Sequence, residues 1–320
     1  MSAPEPPGAS LDEQLAFRLA TRGSALALWQ AKTAQALLLA VQPRRTVEFA
    51  IVQSSGDRDR TSELASFGSV GIFTVEIDNA VLDGRADAGV HSMKDMTTVP
   101  PEGIALVSAL ARGPVEDVLV AREARSLAEL PRGARVATGS RRRRAQLLRE
   151  RPDLEVVDLR GNVETRLDKI ARGEADACIL ARAGLERLGL AEHVRETLGI
   201  ERFVPAVGQG IVGLVCRVGD ERAAKALRAI GDPDAWAAAL CERAFLRTLQ
   251  GGCSAPIGGH ARVAGNAIAL HGQVLSVDGK ACLEDRVRGT ISDAEALGRE
   301  LAERLLERGA GELLAAARER

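Results

Sequence analysis

Lysine is scarce in this chain. Only Lys32, Lys94, Lys169, Lys225 and Lys280 stand among 43 basic residues; the rest are arginine. An average arginine therefore says little, and a lysine in an unusual place says more. Aromatic residues make up 2% and the formal net charge is -1. A general nucleic-acid binder is basic overall and stacks bases on aromatic rings, so that class is excluded, although a local positive pocket is not. The five cysteines are odd in number and no two have CxxC spacing. A disulfide framework and a zinc ribbon are excluded, and reduced thiols in the cytoplasm are expected. No apolar run approaches the roughly 18–20 residues that span a bilayer. The opening MSAPEPPGASLDEQ has neither a basic start nor an apolar stretch, so it does not read as a signal peptide. Its Pro, Gly and Ser content predicts a disordered tail over residues 1–13. GxxxxGK[ST] does not occur, which excludes a P-loop.

What is present is a chain of 320 residues with 46% hydrophobic content, enough for two or three cores. Short apolar strands alternate with helical patterns. FRLAT (17–21) and VEFAIVQ (47–53) read as strands, with a helix over 24–40 capped by Ser24. VEIDNAVLDG (75–84) is helical and ADAGVHS (86–92) a strand. The script repeats: RVATGS (135–140), a helix to about residue 150, LEVVDLRG (154–161) as a strand ending near Arg160, a helix capped by Asn162, and EADACIL (174–180). ATRGS (20–24) is echoed by ATGS (137–140), and GRADAGVHS (84–92) by GEADACILA (173–181). The pairing predicts two similar α/β lobes around a cleft, where ligands tend to bind. GxGxxG occurs at Gly208, Gly210 and Gly213 but leads into a strand-like run, so it predicts a hinge or crossover between lobes rather than a dinucleotide site. Beyond residue 231 come a helix (236–250), two strand-like runs with a DGK turn, and a final helix over 293–318: a small α+β domain.

Three features could carry chemistry. Arginines gather at strand-to-helix junctions: Arg22, the run Arg141–Arg144 after Ser140, Arg160 and Arg166. Helix N-termini favour anions, and the guanidinium fork matches carboxylate or phosphate. The alternatives are a cleft for a ligand with several such groups and a solvated basic turn. VHSMKDM (90–96) sets Lys94 and Asp95 at the cleft edge, where a carboxylate could steady a cation or shuttle a proton, or simply form a surface turn. His91 before it is expected to pack. Cys178, Cys216 and Cys282 lie in strand-like runs and Cys241 in mid-helix, all expected to pack. Cys253 sits in the glycine-rich turn LQGGCSAPIGGH, where it is either a packing thiol or a nucleophile or attachment point.

ATRGSALALWQA, GVHSMKDM, RPDL…LRGNVETRLDKI, PAVGQG, ERAFLRTLQGGC and PIGG occur in an order and spacing that resembles the porphobilinogen deaminases, also called hydroxymethylbilane synthases. The resemblance spans almost the whole chain. It implies an α/β fold of two periplasmic-binding-protein-like lobes with a central cleft, plus a small C-terminal α+β domain. The boundaries expected are 14–112 with 206–230 for a discontinuous first lobe, 113–205 for the second, and 231–320 for the third unit. It implies a transferase that joins four porphobilinogen molecules head to tail with release of ammonia, in tetrapyrrole and heme biosynthesis. The chain would be primed on a dipyrromethane cofactor held by a thioether to Cys253. Asp95 matches the catalytic aspartate. Arg22, Ser24, Ser92, Lys94, Thr138, Ser140, Arg142, Arg143, Arg160 and Arg166 match positions that hold cofactor or substrate carboxylates. No metal is implied, and a cytoplasmic monomer without nucleic-acid or membrane partners is expected.

The lid loop departs from the family. FGSVGIFTVEID (67–78) keeps Gly71 and Phe73, but Val70 and Val75 stand where lysines are usual. Gly139 replaces a common serine and Arg144 a common glutamine, and the new arginine could offset some of the lost charge. The competing reading is a two-lobed polycarboxylate- or pyrrole-binding homologue with weakened turnover.

Overall fold

The computed structural model of the protein describes residues 16–53, 74–251 and 255–318. The tail expected over 1–13, the lid residues Val70, Gly71 and Phe73, and Cys253 lie outside the described residues.

The first run of elements is β1 (Phe17–Arg22), α1 (Ala25–Val41), β2 (Val47–Val52), α2 (Val75–Leu82), β3 (Ala88–Ser92), a 3-10 turn (Met93–Asp95) and β4 (Ile104–Ala109). The second is β5 (Asp117–Ala121), β6 (Arg135–Ala137), α3 (Arg141–Glu150), β7 (Glu155–Val157), α4 (Val163–Ala171), β8 (Ala177–Ala181), α5 (Arg182–Arg187) and β9 (Glu196–Leu198). The chain then returns through β10 (Val212–Arg217) and α6 (Glu221–Arg228). It closes with α7 (Pro233–Thr248), β11 (Ile257–Ala264), β12 (Ala267–Leu275), β13 (Cys282–Thr290), α8 (Ala294–Glu307) and α9 (Ala310–Arg318).

Three sheets result. The first has the order β2-β1-β3-β10-β4, the second β7-β6-β8-β5-β9, and the third is β11-β12-β13. The first two share one topology. In each, four strands run parallel to one another, and the fourth in the order, β10 or β5, lies antiparallel between its two neighbours. The fourth strand in each follows a crossing from the other sheet: β5 enters the second, β10 re-enters the first. The two sequence echoes fall on equivalent places, the ends of β1 and β6 and the strands β3 and β8. Apolar clusters cover both faces of each large sheet. A separate core, including Phe245, Leu270 and Leu301, joins α7 and α8 to the third sheet.

Two expectations change. The strand predicted over 154–161 stops at Val157, because its partner β6 offers only Arg135–Ala137 to pair with. Arg160 therefore lies in a loop, exposed, rather than at a strand end. The final helix is two helices, α8 and α9, parted at Gly309, whose φ of +95° leaves the right-handed region. The glycine motif lies at the crossover between the two large sheets. Gly208 (φ +74°) and Gly210 (φ +84°) turn the chain before β10. Gly113 N–H donates to Gly210 O at 3.0 Å, so the two crossings are bonded side by side. No helix among the described residues is long and apolar enough to cross a membrane.

Candidate active site

On the first lobe, the site is built from strand ends. Ser24 caps α1, its Oγ accepting the Ala27 N–H at 3.4 Å, and Arg22 stands half-buried just before it. The end of β3 is fixed by Gln30 of α1, which donates from Nε2 to Ser92 Oγ at 2.8 Å. Gln30 is buried, and sequence reasoning did not single it out. Met93 is buried and anchors the short turn that presents Lys94 and Asp95, both half-buried. The second crossing abuts this turn. A Cβ on Gly208 would sit 2.8 Å from Met93 Cγ and 3.1 Å from the Lys94 nitrogen. His91 packs inside, as expected, with Nε2 3.1 Å from Asp78 Oδ1.

On the second lobe, Thr138 Oγ1 accepts the Ser140 N–H at 3.2 Å, and Ser140 caps α3 through the Arg143 N–H. The basic run that follows is not one patch. Successive helical residues point about 100° apart, and the four arginines serve three different places. Arg141 donates to Ala317 O in α9. Arg144 donates to Val156 O on β7 at 2.8 Å, so it is bound to that strand edge instead of joining its neighbours. Arg142 and Arg143 turn inward, 4% and 6% exposed, and meet Asp117 at the start of β5. Arg142 Nη2 reaches Asp117 Oδ2 at 2.8 Å; Arg143 Nη2 and Nε reach Oδ1 at 2.7 and 3.1 Å. Arg166, half-buried in the first turn of α4, donates from Nε to Gly161 O at 2.8 Å. Arg160 makes no hydrogen bond or ion pair among the described residues.

The charges of the two lobes act on one another. Burial first, then the Arg143 charge, lower the Lys94 ammonium to about 8, while Asp95 and Asp117 act in the opposite sense. Arg166 is also lowered, by burial and then by Arg143, with Asp95 opposing. Asp117 is held far below the ordinary carboxylate range: burial opposes its charge, but the Arg142 and Arg143 guanidiniums outweigh that. Among the described residues, Lys94, Arg142, Arg143 and Arg166 act with two carboxylates, Asp95 and Asp117, so positive charge is in excess there. Arg142 Nε is buried without a hydrogen-bond partner. Orphaned buried donors are rare, and an excess of cations with a spare N–H fits a ligand that brings carboxylates.

This geometry accords with what comparison finds. The description "Porphobilinogen deaminase, dipyromethane cofactor binding domain" matches residues 17–225, and "Porphobilinogen deaminase, C-terminal domain" matches residues 236–307. The chain belongs to the porphobilinogen deaminase family. It is 45% identical over 301 residues to the porphobilinogen deaminase of Syntrophotalea carbinolica, covering 94% of this chain and 96% of that one. The porphobilinogen deaminase of Moorella thermoacetica is 46% identical over 298 residues, 93% of this chain and 95% of that one. Among solved structures, a periplasmic substrate-binding protein of an ABC transporter from Coxiella burnetii has a TM-score of 0.43 at 16% identity, over 69% of this chain and 94% of that one.

The deaminase match covers both sides of the site and the third sheet. The segment that includes Cys253 is bounded by described residues. Gly251 N–H bonds back to Leu246 O at 3.0 Å at the end of α7, and Ala255 O accepts the Ile257 N–H at the start of β11. Cys178 and Cys241 are buried, and burial pushes both thiols up to about 12; they pack, as expected. Besides Gln30, sequence reasoning missed Asp117, Gln209 and Glu242. Gln209 and Glu242 lie within the quoted stretches PAVGQG and ERAFLRTLQGGC, and Asp117 follows Glu116 at the head of an apolar run, but nothing in those stretches shows which distant side chain each would meet.

Proposed function

We propose that the protein joins four porphobilinogen molecules and one water into the linear tetrapyrrole hydroxymethylbilane, releasing one ammonia at each coupling, with the water supplying the product's hydroxyl as the finished chain is cleaved from its primer. The observation that carries this is the meeting of Lys94 and Asp95 from one lobe with Arg142, Arg143 and Arg166 from the other, with cations in excess among the described residues. Each pyrrole unit brings two carboxylates, so a growing chain needs such a surplus.

In each coupling the aminomethyl C–N bond of porphobilinogen breaks and ammonia leaves. The exocyclic carbon bonds to the α carbon of the preceding ring, which gives up its proton. Asp95 is assigned to the positive charge that develops on the substrate as ammonia departs; a fixed carboxylate in a partly dry site stabilises such charge strongly. Lys94, Arg22, Arg142, Arg143, Arg160 and Arg166 are assigned to carboxylates, with Ser24, Ser92, Thr138 and Ser140 as neutral partners. Two of these hydroxyls, Ser24 and Ser140, already cap helices whose N-terminal N–H groups favour anions. A dipyrromethane held by a thioether to Cys253 supplies, when bound, a pyrrole with a free α carbon to begin the first coupling. The residues fit it through the surplus charge and the unpartnered Arg142 Nε. The reading divides the chain into lobes 14–112 with 206–230 and 113–205 and a cofactor unit 231–320, acting as a cytoplasmic monomer.

Intact mass tests the reading. The purified protein should carry an adduct of two pyrrole units that Cys253→Ala abolishes, and Asp95→Ala should remain folded yet form no product. An unmodified mass after exposure to porphobilinogen, with no ammonia released, would overturn it.

A further inference from the structure

Arg142 and Arg143 stand in an unfavourable place. They occupy the first turn of α3, where the macrodipole opposes cations, and both are more than nine-tenths buried. Two buried guanidiniums side by side repel one another and lose hydration. The carboxylate that meets them is Asp117, which is 0% exposed, and each also donates to a backbone carbonyl: Arg142 Nη1 to Val204 O at 2.7 Å and Arg143 Nη1 to Ile179 O at 3.1 Å. Asp117 takes one bond from Arg142 and two from Arg143, so it is the one group that orients both guanidiniums together and the one that offsets their charge.

Asp117 is itself held from the crossing between the lobes. Gln209 Nε2 donates to Asp117 Oδ1 at 3.0 Å and to Val115 O at 2.6 Å. The backbone carbonyl of Gln209 accepts from Arg112 Nε at 3.0 Å, and Arg112 Nη1 reaches Glu242 Oε1 at 2.6 Å. Glu242 lies on α7, the helix that precedes Cys253 in the sequence. A continuous, partly buried polar chain therefore runs from the third domain, through the crossing, to the arginine pair.

We propose that Asp117 is a positioning residue for the coupling reaction: it aims Arg142 and Arg143 at ligand carboxylates and sets how much positive charge the cleft offers, with Gln209 fixing it to the interlobe crossing. This rests on the reading that these arginines receive carboxylates. Asp117 also offsets the charge on Lys94, which faces Arg143, Asp95, Asp117 and Arg142.

Asp117→Asn keeps the shape and removes the charge, and the holoenzyme is the protein to test. KM for porphobilinogen should rise at least tenfold, with a smaller change in kcat. Its melting temperature should fall below wild type, and that deficit should shrink between pH 7 and pH 9, because Lys94 loses its proton there and ceases to repel the arginines. A residue that merely filled space would give a deficit independent of pH. A KM within twofold of wild type, or a deficit equal at both pH values, overturns the proposal. Should Asp117→Asn not accumulate as folded holoenzyme, Gln209→Met carries the same test: KM raised about threefold supports the proposal, and an unchanged KM overturns it. Turnover by the wild-type protein in the same assay tests the functional reading separately, and the melting arm needs no substrate.

Discussion

Arg187 of α5 lies with its guanidinium carbon 5.1 Å from the ring centre of Trp29 in α1, and so joins the second lobe to the first. The same side chain donates from Nη2 to Gly210 O, in the crossing, at 2.7 Å. Burial lowers its pKa, so the group is partly stripped of water, the condition in which a cation over a ring is worth most. A double-mutant cycle with Trp29→Leu and Arg187→Met should give a coupling of about 1 kcal/mol in urea unfolding. Additive single effects would show that the two groups do not interact.

Lys94 sets a pH dependence. Its ammonium is lowered from 10.5 to about 8. Below that value the group is charged and can hold a carboxylate; above it, the group is neutral and cannot. Activity should therefore fall as pH rises through about 8, and Lys94→Arg should move that alkaline limb beyond pH 9. The stability effect has the opposite direction. The fold bears the cost of the buried charge at neutral pH, and that cost lessens as pH climbs from about 8 toward 10.5. Rate and melting profiles over pH 6–10 check both signs.

The outline of the fold was legible because its signals are local. Ser24, Ser140 and Asn162 cap helices as the sequence predicts, and glycine stops such as Gly84 and Gly173 take positive φ. Lys94 and Asp95 stood out because lysine is rare. What escaped was long-range. Asp117 and Arg142 are 25 residues apart, and Arg112 and Glu242 are 130 apart. No spacing rule links such pairs. The helix phase of Arg141–Arg144 was readable in principle, but the partner each would find depended on the packing of β5, β7 and α9.

Glu242 should be among the most sensitive positions in the chain. It is fully buried, pairs with Arg112, and accepts the backbone N–H groups of Gly208 at 2.6 Å and Ala261 at 2.7 Å. Glu242→Gln replaces one acceptor oxygen by a donor facing donors and leaves Arg112 uncompensated. Removing one partner of a buried pair costs about 3–5 kcal/mol. A urea midpoint within experimental error of wild type would contradict this account.

Val75 opens α2 and is 48% exposed, although it stands where the family usually has lysine. A lysine there would reach solvent without disturbing the core. If the lid reading is right, Val70→Lys with Val75→Lys lowers KM for porphobilinogen severalfold and leaves the melting temperature within a degree or two. An unchanged KM would mean that carboxylates are held without the lid.

Gly279 connects the third domain to the arginine helix. It sits at the tip of the β12–β13 hairpin with φ +74°, pressed against the backbone of α3. A Cβ there would lie 2.3 Å from Ala145 O and 2.8 Å from Arg149 N, and backbone cannot yield as a flexible side chain does. Gly279→Ala combines a left-handed conformation, about 1–2 kcal/mol, with overpacking, about 1–3 kcal/mol. The hairpin must lift or α3 must shift, and α3 carries Arg142 and Arg143. The variant should lose stability and also raise KM, because the displaced helix takes its arginines with it. Gly265→Ala offers the control: its φ is +58° but nothing lies within 4 Å of the added carbon. It should cost the conformational part alone and leave KM at the wild-type value. Equal KM in the two variants would show that the hairpin contact does not bear on the site.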